Sequence, residues 1–139
     1  MKIIIFSILL FNIIVLGCNN EERQQSSLVH FKSSIENIQK SFLLEPSGQP
    51  YGNMDEEKYE RIMKLRKSAF NEAQHVDIKE LNQINKELAV HFKNEYLRGL
   101  KLSVEGYEQS DFQKLNQGSM LINSWGNWYS SYLNELREE

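Results

Sequence analysis

Two stretches of this chain set acid–base side chains at helical spacing. Glu72-Ala73-Gln74-His75 has the Glu-x-x-His interval, which puts a carboxylate and an imidazole on one helix face, the half-motif of ferritin-like di-iron sites. A complete site needs that motif on two helices and a further Glu from each of two others. The chain holds one copy, at a helix end where the dipole favours His in any case. Glu87, His91 and Glu95 fall at i, i+4 and i+8, so they line one face of a helix. They could ligate a metal or share a proton, but such a set usually forms a solvated face. His30, between Val29 and Phe31, is expected to border the core. No metal is expected.

Other chemistries find less. Covalent haem would need Cys-x-x-Cys-His, and no Gly-x-Ser-x-Gly elbow or Gly-rich phosphate loop is present. No cofactor is expected, and the protein is not expected to be an enzyme.

The densest unusual feature is Trp125-Gly126-Asn127-Trp128-Tyr129-Ser130-Ser131-Tyr132. Trp125, Trp128 and Tyr132 share one side of a helix at spacings of three and four. Exposed Trp and Tyr anchor protein partners, so these three are candidate partner-binding residues. The competing reading is that this helix is simply the most buried one. Tyr51, Asn53 and Tyr107, from a loop and a turn, join the candidate set, because loops on a rigid scaffold commonly carry function.

The elements that must position these residues read as helices throughout. Leu28, Phe31, Ile35, Ile38 and Phe42 form an apolar stripe that stops at Pro46. A Pro/Gly-rich loop over 46–54 follows. Asp55 caps the second helix, with a Met54/Tyr59 staple, and Tyr59, Ile62, Met63, Ala69, Phe70 and Ala73 make its apolar face. Asp77 with Glu80 has capping-box spacing, and one long third helix carries Leu81, Ile84, Leu88, Phe92, Tyr96 and Leu100 to a stop near Gly106. Ser110 is the expected cap of the fourth, whose stripe is Phe112, Leu115, Ile122, Trp125, Tyr129, Leu133 and Leu136. The expectation is therefore all-α: an antiparallel four-helix bundle. The first two helices span roughly 18–19 residues and the last two roughly 27–29, about 40 Å each. Turning the last helix back on the third brings Gly99 towards Gly118, which implies close backbone approach.

Length and charge bound the rest. At 139 residues there is room for one domain. The net charge is −3, with no basic tail or Lys/Arg cluster, so nucleic acid is a poor candidate partner. Met1-Lys2 precedes an apolar run, 3–16, of signal-peptide length and short for a membrane span. Directly after it comes the only Cys, in Val15-Leu16-Gly17-Cys18.

That tetrapeptide resembles the lipobox of bacterial lipoproteins. The resemblance implies diacylglyceryl attachment at Cys18, cleavage before it, and several acyl chains holding a soluble domain on a bilayer. The expected organisation is a cleaved signal over 1–17, a lipidated Cys and flexible tether over 18–27, and the helical domain over 28–139. The expected location is the bacterial envelope: the outer membrane facing the periplasm in a Gram-negative host, otherwise the outer face of the plasma membrane. The expected role is a non-enzymatic protein-binding factor, such as an inhibitor, immunity protein or accessory, with its partner in the envelope. The alternatives are a carrier of a small apolar ligand between the helices, and an envelope spacer without a specific ligand.

Overall fold

A computed structural model describes residues 21–45 and 54–138. The segment 1–20, with Cys18, and the loop residues Tyr51 and Asn53 lie outside the described residues. The described chain is all helical, with no strand among the described residues. Its elements are α1 (Glu21–Leu44), α2 (Glu56–Ala73), α3 (Ile78–Ile84), α4 (Lys86–His91), a π-helical segment (Phe92–Leu97), α5 (Arg98–Glu108) and α6 (Phe112–Glu138). From α4 through the π segment to α5 the helix is continuous, so the described chain has five helical stretches.

The helix starts follow from side-chain caps. Asp55 accepts from the Lys58 amide at 3.2 Å and starts α2. Asp77 accepts from the Lys79 amide at 2.8 Å and starts α3. Each satisfies an amide that the helix itself leaves unpaired. Four features differ from expectation. The tether expected to reach residue 27 is helical from Glu21, and Ser27 is buried, accepting from the Asp77 amide at 2.8 Å.

The second difference is a break in the expected long third helix. Asn85 sits extended (φ −156°, ψ 125°) and its side chain accepts from the Leu88 amide at 3.0 Å. A new helix therefore starts there, and Ile84, counted above in the apolar stripe, is 48% exposed.

The third and fourth lie at the α5–α6 turn. Asp111, not Ser110, caps α6, accepting from the Gln113 and Lys114 amides at 3.0 and 3.1 Å. Ser110 is instead the left-handed residue (φ 55°) that ends α5. The Asp111 amide donates to the Gly106 carbonyl at 2.8 Å and the Ser110 amide to the Tyr107 carbonyl at 3.2 Å, the two bonds of a Schellman motif. Gly106 is thus not the stop; the helix runs on to Glu108.

Packing runs α1 against α2, and α5 against α6. The core joins Phe31, Ile35 and Ile38 of α1 to Ala69 and Ala73 of α2, Leu81 of α3, Leu88 of α4, Phe92 and Tyr96 of the π segment, and Ile122, Trp125 and Tyr129 of α6. A smaller cluster of Ile62, Met63 and Leu115 lies towards the α5–α6 turn, with Met54 and Tyr59 packed on it. The expected approach of Gly99 and Gly118 is present. A Cβ at Gly118 would lie 2.6 Å from the Gly99 carbonyl oxygen and 2.5 Å from the Ser103 amide.

Candidate functional site

Two features that were separate in the sequence meet in space: the Glu87/His91/Glu95 face and the α6 aromatics. The His91 ring stacks on Trp128 at 4.1 Å and 11°, and Trp128 stacks on Tyr132 at 5.2 Å and 10°. His91 Nδ1 lies 3.0 Å from Glu95 Oε1. Burial pushes the Tyr132 phenol up from its ordinary value, offset by a hydrogen bond with Asn85 and reinforced by the Glu87 charge. The break at Asn85 and the π segment together aim this face, since His91 ends α4 and Glu95 sits inside the wide turn. Single π turns occur frequently at functional sites. What results is a half-buried column of three rings with carboxylates beside it. Such a surface suits recognition of another side chain better than bond making.

Beneath it lies core rather than site. Trp125 is 2% exposed and stacks on Tyr129 at 4.9 Å and 14°. It packs edge-on against Phe31 and Phe92 as well. Trp125 therefore leaves the candidate set: its position faces the core stripe, while Trp128 and Tyr132 stay half-exposed on the flank. Tyr107 is exposed and meets Tyr59 edge-on at 5.5 Å, beside a groove of about 290 Å³ lined by Glu60, Met63, Lys64, Lys67 and Val104. It stands sixteen residues beyond His91 on the continuous helix, about 24 Å away by the helical rise. The structure thus brings Trp128 and Tyr132 together and leaves Tyr107 at the opposite end.

The Glu72-x-x-His75 pair is drawn into a different set. His30 Nδ1 lies 2.7 Å from Glu72 Oε2, and the His30 and His75 rings are 5.0 Å apart. Among the described residues no group of three or more His, Cys, Asp or Glu is placed to hold a metal ion.

Sequence reasoning missed two buried polar sets. Arg66 is fully buried, donating from Nη1 to Ser119 Oγ at 2.8 Å and Ser103 Oγ at 3.2 Å, and from Nη2 to Glu45 Oε1 at 2.7 Å. One guanidinium so ties together the end of α1, α2, α5 and α6. A signal was present: position 66 lies four after Ile62, three after Met63 and three before Ala69, inside the apolar face. The second set is Ser34, which donates to the Ala69 carbonyl at 2.7 Å. Its hydroxyl has one proton, so the Tyr96 phenol 2.9 Å away is the donor to Ser34. Burial pushes the Tyr96 phenol well above the ordinary tyrosine range.

No protein-family model matches this chain, and no curated protein or solved structure is detectably similar to it.

Proposed function

We propose that this chain is a lipid-anchored protein of the bacterial envelope, with its long helices packed as an antiparallel bundle, that acts by binding a protein partner rather than by catalysis. The observation that carries the anchoring is Val15-Leu16-Gly17-Cys18 directly behind a short apolar run, with the one thiol of the chain at its end. Supporting the bundle is the pairing of α1 with α2 and of α5 with α6. The binding half rests on the His91–Trp128–Tyr132 column, where amphipathic rings sit half-exposed on a rigid helix pair. Two aromatic rings held in place by stacking present contact area at little entropic cost, as interface anchors do.

Metabolic labelling with palmitate tests the anchoring. The wild-type chain takes up label and sediments with membranes; Cys18→Ser loses both. Label retained by the Cys18→Ser chain would overturn the reading.

A further inference from the structure

From Leu115 to Asn134, α6 carries no Lys, Arg, His, Asp or Glu, although a quarter of the chain is charged. At that average, twenty residues would hold about five charges. Its inner side needs none, because Leu115, Ile122, Trp125 and Tyr129 are core. The outer side is the anomaly. Asn116, Met120, Asn123, Asn127, Ser130 and Asn134 are all exposed, at spacings of four and three, the interval of a helix–helix seam. Met120 is 71% exposed in the middle of it. Elsewhere exposed positions carry the usual ions, such as Lys32, Glu36 and Lys40 on α1. Depletion of charge is what distinguishes the centre of a protein interface from ordinary surface.

The composition of the face selects its occupant. A basic or acidic partner would find no ion to pair with, and an apolar one would leave desolvated amides unsatisfied, at a cost. An amide both donates and accepts, so a row of Asn side chains is satisfied by the same row on another molecule. The serine hydroxyls make no such demand: Ser130 and Ser131 already donate to the Gly126 and Asn127 carbonyls at 2.8 and 3.2 Å. The chain as a whole is net negative, so two copies repel through their charged faces but not through this one. We infer that the outer face of α6 is a self-pairing surface, on which a second copy of this chain packs α6 against α6 about a two-fold axis.

Site-directed thiol crosslinking of the full chain in cells tests this. In a Cys18→Ser background an introduced thiol is the only one in the chain. Asn127→Cys is expected to give a crosslinked species of twice the chain mass with a short bismaleimide. Gln39→Cys and Asn82→Cys, exposed on α1 and α3, are expected to give background only. Adding Asn123→Glu to Asn127→Cys should abolish the dimer, while Asn123→Ser, which keeps the face uncharged, should retain it. Both double variants must accumulate to equal levels, which separates loss of pairing from loss of fold. Absence of dimer from Asn127→Cys, equal dimer from all three positions, or an adduct with a different protein would overturn the inference.

Discussion

At Ser110 the backbone takes φ 55°, the conformation that aims the Asp111 amide back at the Gly106 carbonyl. An L-residue with a Cβ pays about 1–2 kcal/mol there, against a chain-entropy cost of roughly 0.5–1 kcal/mol for glycine. Ser110→Gly is therefore expected to stabilise the fold by about 0.5–1 kcal/mol, visible as a higher midpoint in thermal melts; an unchanged or lower midpoint would refute the account. A second residue-scale expectation concerns alkali. Burial holds the Tyr129 proton to about 12 instead of 10.0, and pushes Tyr96 the same way. Both phenols ionise earlier in the unfolded chain, so their contribution is complete below pH 10 and is lost as pH rises towards and through about 12. Denaturant titrations across that window should show falling stability, with a shallower fall for Tyr129→Phe. An identical slope in that variant would assign the decline to other groups.

At the scale of elements, capping and spacing were legible where a single residue decides them. Asp55 and Asp77 start helices as their positions imply. The Gly99/Gly118 contact followed from the turn between the two long helices. Asn85 was not legible, because Leu81, Ile84 and Leu88 continue a plausible stripe across it, and only the tertiary fold turns Ile84 outward. The π segment left a trace in hindsight. Leu88, Phe92, Tyr96, Leu100 and Val104 are all buried at unbroken spacings of four. In an α-helix each such step overshoots a turn by about 40°, so the row would wind off the core; the wider turn at Phe92–Leu97 brings it back. The same contrast of local and tertiary causes yields a prediction for glycines. Gly118→Ala would press its methyl onto backbone atoms at 2.5 and 2.6 Å and should cost about 3 kcal/mol. At Gly126 a methyl would meet nothing within 4 Å, so Gly126→Ala should gain about 1 kcal/mol from helix propensity. Equal effects in chemical denaturation would show that close approach is not what holds Gly118.

For the whole molecule, chain direction relates the candidate surfaces to the proposed lipid anchor. The start of α1 lies beside the α2–α3 connection, through Ser27 to the Asp77 amide and His30 to Glu72. With α1 helical from Glu21, only two residues separate it from Cys18, three steps of chain with a reach of at most about 10 Å. With the proposed anchor at Cys18, the ring column would fall on the membrane-proximal half and Tyr107 on the far end. Under the proposed function, Trp128→Ala and Tyr132→Glu should therefore reduce recovery of a cross-linked partner, and Tyr107→Glu should not. Loss with Tyr107→Glu alone would move the binding surface to the distal end. The sequence could not separate these, because the rotation and level of each aromatic depend on a helix break and a wide turn that spacing alone does not reveal.

That wide turn also bears on which changes in length the gene can tolerate. Removing a codon between Phe92 and Leu97 would leave five residues to wind as ordinary helix, which turns through nearly the same angle as the six of the wide turn, so everything after it would keep its rotation. Gly99 would stay on Gly118 and Ser103 on Arg66, whereas a codon lost from α4 would turn both away by about 100°. A codon lost from the turn at 109–111 would instead remove a residue of the Schellman motif or the Asp111 cap of α6. In a scan of single-codon deletions, the π segment should be the most tolerant stretch between Lys86 and Glu108, and loss of fold there as complete as from α4 would refute this account.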